Sequence, residues 1–300
     1  MFKTKISKHT LHFKNPAGTS RGIYTTRDIW LVRITDTTTG KEGVGECAPL
    51  PDLSCDASSG YEDNLRQLCS VFESTGEINR DLLRPYPSIL FGLETAKLNL
   101  ERGKFLFDTL FSHGKAGIPI NGLVWMGSFD EMRQRMEDKI EQGFKCVKLK
   151  IGAIDFESEL QLVRSIRKRF SKEVIELRVD ANGGFSYKDA LQKLEKLSHF
   201  DIHSIEQPIR QHQWREMAQL CQSTPIPVAL DEELIGVNIA GMKEELIDRI
   251  RPQYLVLKPS LHGGISGTSE WIELCRRHDI GSWITSALES SIGLAAIAQY

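Results

Sequence analysis

Lys145-Cys146-Val147-Lys148-Leu149-Lys150-Ile151 is short, rich in β-formers and followed at once by Gly152, which predicts a buried strand with a turn at its end. Alternation along a strand puts residues i and i+2 on one face. Lys148 and Lys150 therefore share a face, while Val147 and Leu149 take the other, against a covering helix. Like charges side by side raise each other's cost of ionisation, so one lysine of the pair should lose its proton more easily and serve as a base. Taken alone, the pair also suits two solvated lysines on an edge strand.

The residues that follow favour the first reading. Polar residues end one apolar segment after another: Lys150, Asp180, Glu206, Asp231 and Lys258, at intervals of 30, 26, 25 and 27 residues. A strand, a helix and two loops take about that length in a βαβ unit.

Composition narrows the class. Three hundred residues suffice for one large α/β barrel or two ordinary domains. An apolar fraction of 40% and a charged fraction of 26% belong to a globular enzyme rather than a disordered chain. A formal charge of −2 gives no electrostatic reason to expect nucleic acid or an anionic membrane. No apolar run approaches the length of a transmembrane helix, and the N-terminal residues have no signal-peptide core. Six scattered cysteines without a Cys-x-x-Cys pair read as reduced thiols of a cytoplasmic protein.

Residues 3–14, 28–36 and 41–47 are predicted strands, and 57–73, 86–102 and 104–112 predicted helices. Between the first two strands, Asn15 to Gly22 carries a proline and two glycines and reads as a loop, either an ordinary connection or a lid over a site. Three strands followed by helices suggest a separate α+β domain, placed at 1–115.

Strand–helix alternation begins near Ile118. Segments 118–125, 145–151, 175–180, 202–206, 226–231, 253–258 and 281–286 are predicted strands, with helix starts at Ser128 and Ser186 and a helix end at Gly143. Seven such repeats point to a parallel (β/α) barrel over 116–300. A doubly wound open sheet is the alternative, but no Gly-x-Gly-x-x-Gly follows any predicted strand. A closed barrel needs an eighth strand, so the natural protein is expected to continue past Tyr300.

In such barrels the site lies at the carboxyl ends of the strands, where the five polar residues fall. Asp180, Glu206 and Asp231 would converge and repel, and a hard divalent cation resolves the repulsion; oxygen-only ligands favour Mg²⁺ over zinc. Each acid alone reads better as a cap on the next helix; it is the three at regular spacing that read as a metal site. No histidine occupies an equivalent position, and none of the eight is assigned a role. Lys150 and Lys258 flank the acids and would face each other across a substrate. For lysine to act as a base its pKa must fall from about 10.4 to about 7 or 8, roughly 3 to 4 kcal/mol of differential stabilisation. The chemistry this suits is removal of a proton next to a carboxylate, with the cation and the opposite lysine supplying positive charge to the enolate. A Schiff-base aldolase has no use for three acids, and a non-catalytic scaffold barrel needs no neutral lysine.

Lys148-x-Lys150, Asp180-Ala-Asn182, Glu206-Gln-Pro208, Asp231-Glu232 and Lys258-Pro259 together resemble the muconate-lactonising subgroup of the enolase superfamily. The resemblance covers the whole chain and implies an N-terminal α+β capping domain before a modified TIM barrel, and a lysine base working with Mg²⁺. The strand-seven histidine and strand-six aspartate of the mandelate racemase subgroup are absent, and enolase proper lacks the strand-two lysine. Within the subgroup, Gly45 to Ser54, Lys258 to Gly264 and Ser286 to Gly293 are most similar to the o-succinylbenzoate synthases. These dehydrate a succinyl-hydroxycyclohexadiene carboxylate in menaquinone synthesis. The resemblance implies that Asp180, Glu206 and Asp231 bind Mg²⁺ (Mn²⁺ as a substitute), which holds the substrate carboxylate. It makes Lys150 the base, Lys258 the stabiliser of the enolate and Lys148 the residue that tunes Lys150. Ser286 and Arg21 become substrate contacts, the loops near Arg21 and Pro49 to Ser54 closing over the succinyl arm. N-acylamino acid racemases and dipeptide epimerases share nearly all these groups, so racemisation or epimerisation by the same proton abstraction is the alternative activity. The partner is a small carboxylate, and the sequence sets no oligomeric state.

Overall fold

Arg178 and Trp283 stand on strands four places apart in one sheet, yet the guanidinium lies 4.1 Å from the indole centroid. Four strand spacings in a flat sheet come to about 19 Å, so the sheet curls until its interior side chains meet. The computed structural model describes residues 1–19, 22–152 and 154–300.

The N-terminal part is an antiparallel sheet in the order β1 (Phe2–Thr19), β2 (Gly22–Asp36), β3 (Glu42–Cys47), followed by α1 (Tyr61–Thr75), α2 (Arg80–Leu83) and α3 (Pro87–Arg102). Trp30, Val32 and Ile34 of β2 pack with Leu65, Phe72, Ile89 and Leu93 of the helices. A Cβ at Gly45 would collide with the carbonyl of Gly92, so β3 lies against α3 at a distance only glycine permits.

Two sequence expectations fail here. Residues 15–22 are not all loop: Ala17, Gly18 and Thr19 pair with Tyr24, Ile23 and Gly22, and a register shift between His12 and Ala17 takes up the extra residues around Pro16. A bulge lets a strand carry a residue that cannot donate to the ladder, so a proline that looked like a loop marker sits inside a hairpin. Residues 104–112 form turns rather than a helix. They are held instead by side-chain bonds among Thr109 and Ser112, which compete with helical bonding.

The second sheet is parallel and seven-stranded, in the order β10-β9-β8-β7-β6-β5-β4, with β4 at Gly122–Val124, β5 at Cys146–Lys150, β6 at Glu176–Asp180, β7 at Ser204–Glu206, β8 at Val228–Leu230, β9 at Tyr254–Leu257 and β10 at Gly281–Ile284. All seven predicted strands are present, each shorter than predicted. Seven helices follow them in alternation: α4 (Phe129–Glu141), α5 (Phe156–Arg169), α6 (Tyr187–Ser198), α7 (Trp214–Ser223), α8 (Ala240–Ile250), α9 (Gly264–Arg277) and α10 (Ser291–Gln299). Ser128 and Glu131 form the expected capping box at α4, and Ser186 accepts from the amide of Asp189 at α6.

The alternation read in β5 holds. Val147 and Leu149 are fully buried with Leu177, Val179, Ile205, Val228, Leu230, Leu255 and Leu257 in one cluster between sheet and helices. Each such side chain contributes about 1.5–3 kcal/mol of apolar burial. Cys146, Lys148 and Lys150 take the opposite, interior face. Among the described residues no helix is long and apolar enough to cross a membrane.

Two glutamates of the N-terminal part bind the starts of helices of the second. Glu94 of α3 accepts from the amides of Ile265 and Ser266 at α9. Glu46 of β3 accepts from the amides of Ser290 and Gly293 at α10. A carboxylate at a helix N-terminus satisfies free amides and meets the positive end of the helix dipole. Phe91, Leu106, Ile265, Ala296 and Ile297 form a small apolar cluster along the same seam.

Candidate active site

Parallel pairing sets Lys150, Asp180 and Glu206 level with one another, Lys150 opposite Asp180 and Asp180 opposite Glu206. Asp231 and Lys258 follow the last residues of β8 and β9 at the same end of the sheet. The regular spacing in the sequence thus becomes one row of side chains at the carboxyl ends of five successive strands.

Within the row, Lys150 Nζ donates to Asp180 Oδ2 at 2.6 Å and to Asn182 Oδ1 at 2.7 Å. Lys148 Nζ donates to the same Asp180 oxygen at 3.1 Å and to Glu206 Oε2 at 2.8 Å. Lys258 Nζ donates to Asp231 Oδ2. Lys150 and Lys258 therefore hold opposite ends of a line of buried acids, with Glu206 between. Among the described residues no three His, Cys, Asp or Glu side chains have closed around a single point at metal-ligand distance, because lysine ammonium groups stand between the acids.

The electrostatics follow from burial against pairing. Burial raises Glu206 to about 8, and the charges of Asp180 and Asp231 push the same way. Burial and the charge of Asp231 raise Glu232 to about 7. Burial also works against ionised Asp180 and Asp231, but Lys150 and Lys148 overcome it at the first and Lys258 at the second, holding both below the usual carboxylate range. Burial alone would lower Lys148; Glu206 and Asp180 outweigh it and keep it charged. The expectation that like charges make one lysine of the β5 pair lose its proton more easily is corrected at Lys148: Glu206 and the Asp180 oxygen it shares with Lys150 hold it above the usual lysine range. Glu206 Oε1, Asp231 Oδ1 and Glu232 Oε2 are buried without a hydrogen-bond partner among the described residues.

The comparisons with known proteins bear on this row. Residues 3–100 match the family described as "MenC, N-terminal domain", and residues 131–300 the family described as "Enolase C-terminal domain-like". The chain is 44% identical to the o-succinylbenzoate synthase of Desulfotalea psychrophila, over 97% of this chain and 87% of that protein. The chain belongs to the o-succinylbenzoate synthase family of the enolase superfamily. It is an enzyme, of the carbon–oxygen lyase class. The crystal structure of MenC from Desulfotalea psychrophila LSv54 superposes with a TM-score of 0.83 at 39% identity, covering 99% of this chain and 89% of that one. The o-succinylbenzoate synthase of Thermosynechococcus elongatus, solved with Mg in its active site, has the same fold (TM-score 0.78, 24% identity, 99% and 88% covered).

This o-succinylbenzoate synthase family member holds its row in place with residues that the motifs left without a role. Gln207, with φ +40°, accepts from the amides of Asp231 and Glu233 and donates to Ile209 O and Glu233 Oε2, so it ties β7 to the Asp231 turn. Asn182, with φ +44°, accepts from Lys150 and donates to Glu232 Oε1. The signal for both was their place one or two residues past a strand-end acid, and for Asn182 also the tolerance of asparagine for left-handed backbone. Among the histidines, none of which was assigned a role, His262 is fully buried, and its Nδ1 accepts from the Lys258 amide at 3.0 Å. Burial drives His262 down to about 3, so it stays neutral. Ser286 is half-buried just past β10. Arg21 lies outside the described residues.

Proposed function

We propose that this enzyme dehydrates 2-succinyl-6-hydroxy-2,4-cyclohexadiene-1-carboxylate to o-succinylbenzoate, with Lys150 as the base and Mg²⁺ as the cofactor. The observation that carries the reading is the row itself, two lysines at opposite ends of buried acids on successive parallel strands, in a chain 44% identical to an o-succinylbenzoate synthase.

The donor set fits a hard cation. Asp180, Glu206, Asp231 and Glu232 bring four carboxyl groups to one buried end of the sheet, and Glu206 and Glu232, raised to about 8 and about 7, hold protons there that a bound cation would displace. Oxygens of Glu206 and Asp231 are buried and unpartnered, and all donors are oxygen, the preference of Mg²⁺. Asp180, Glu206 and Asp231 would hold the ion, which when bound supplies positive charge to a carboxylate gaining electron density.

The chain's own residues then do the rest. Lys150, as the free amine, takes the proton from the ring carbon bearing the carboxylate, and the C–H electron pair moves into an enediolate. That pair returns to form a ring double bond as the neighbouring C–O bond breaks. Lys150 gives its proton to the departing hydroxide, releasing water from the face on which it took the proton. Lys258 stays charged at the far end of the row and stabilises the enediolate. Lys148 keeps Asp180 and Glu206 paired beside the base. Ser286 and Arg21 contact the substrate, and the free cysteines suit a cytoplasmic site of action.

The test incubates purified protein with Mg²⁺ and the cyclohexadiene substrate and follows loss of diene absorbance. The reading expects Mg²⁺-dependent turnover that a chelator abolishes. Exchange of α-hydrogen in N-acylamino acids or dipeptides in D₂O, without consumption of the diene, would assign racemisation or epimerisation instead.

A further inference from the structure

Arg27 of β2 is the largest charged side chain buried almost completely, at 2% exposure. A guanidinium taken out of water is strongly destabilising unless its charge and its donors are matched. Its donors here reach two backbone carbonyls on different parts of the chain, Ala48 O after β3 and Ala287 O after β10. The acids that most offset its burial are Glu289 and Glu46.

The loop that Arg27 grips is held in an unusual shape. Leu288 has φ +65°, a conformation that is strained for a side-chain-bearing residue and persists only where the surroundings over-determine it. The surroundings do so. Glu289 Oε2 accepts from the Ala287 amide at 2.7 Å, and Glu46 Oε1 accepts from the Ser290 amide at 2.8 Å. Glu289 Oε1 accepts from Ser260 Oγ at 2.5 Å, two residues beyond Lys258. A continuous chain of bonds runs from Arg27 through Ala287 and Glu289 to the loop that carries Lys258.

We infer that Arg27 is a positioning residue, fixing the Thr285–Ser290 loop and the Lys258 loop against each other so that Ser286 and Lys258 meet the substrate in one geometry. This rests on the proposed function, which places Ser286 and Lys258 at the substrate. A second link points the same way: Tyr24 of β2 donates to Pro51 O at 2.7 Å, so β2 also fixes the loop after Ala48. One strand of the N-terminal sheet thereby sets two loops around the mouth of the other sheet.

The experiment compares the full-length wild type, Arg27→Gln, Arg27→Lys and a control, Leu65→Ala, which weakens the N-terminal core away from these loops. Arg27→Lys keeps the charge but cannot span both carbonyls, and it serves if the glutamine variant does not fold. Each is measured for kcat, KM, melting temperature and amide hydrogen exchange of peptides spanning 284–293 and 145–151. The inference expects the Arg27 variants to lose about 10- to 100-fold in kcat/KM, mainly through KM. It also expects faster exchange in 284–293 and unchanged exchange in 145–151. Leu65→Ala should lower the melting temperature with KM unchanged. Arg27 variants with wild-type KM, or with wild-type protection at 284–293, overturn the inference even if they melt earlier. If the wild type does not consume the cyclohexadiene, the proposed function fails, and the exchange comparison alone then decides the role of Arg27.

Discussion

Lys150 donates to Oδ2 of Asp180 at 2.6 Å, and the same oxygen takes a second ammonium, that of Lys148. One carboxylate oxygen thus links the lysine proposed as base to the lysine that neutralises its surroundings. In the proposed mechanism an acid that would hold the cation also positions the base, so changes to the acids and to the lysines should be separable in experiment.

Asp231→Asn removes one negative charge and leaves the sheet intact. Calorimetric titration should show Mg²⁺ affinity reduced by at least about tenfold. Unchanged affinity would remove Asp231 from the ligand set.

Lys148→Met strips the ammonium shared by Asp180 and Glu206 and leaves two buried acids facing each other. Breaking a buried pair from one side costs about 3–5 kcal/mol, read as a lower denaturant midpoint. Saturating Mg²⁺ should recover part of that loss. The same loss with and without the cation would mean that the ion does not sit at these acids.

Asp56 is buried near the start of α3, where it accepts from the amide and hydroxyl of Ser88 at 2.9 and 2.6 Å. Burial raises it to about 6, against Ser88's opposing hydrogen bonds. An acid raised in the folded state binds its proton more tightly there than in the unfolded chain. Stability from this group is therefore full below about pH 4 and falls as pH rises towards 6. The loss is on the order of 3 kcal/mol. Asp56→Asn should flatten the melting temperature over that window; an unaltered slope there would assign it to other groups.

Leu149 faces away from the site and is fully buried between β5 and its helices. Leu149→Ala should cost about 2–5 kcal/mol of stability. At a temperature where the variant stays folded, its kcat should remain close to that of the wild type. A large fall in kcat would show that the outward face of β5 also sets the lysines.

The strand ends were legible because two periodicities coincide there. Val147 and Leu149 alternate with Lys148 and Lys150, and polar residues recur at the length of a βαβ unit. The strand–helix alternation and the five-residue row follow from that, while the N-terminal α+β part was legible from its own three strands and the helices after them. The positions of Gln207, Asn182 and His262 were harder to read, since their importance lies in backbone or side-chain partners brought close by pairing between strands 24 or more residues apart, or in a turn that only the fold defines. Arg27, Glu46 and Glu94 act across 171 to 260 residues, a separation that no local pattern records. Pro16 misled because a bulge accommodates what a regular ladder cannot.

The most direct measurement is the dehydration rate of Lys150→Ala beside the wild type, with saturating Mg²⁺ and the cyclohexadiene carboxylate. The variant should bind the cation normally and lose at least two to four orders of magnitude in kcat, as expected for removal of an acid–base group. Turnover within tenfold of the wild type would contradict Lys150 as the base.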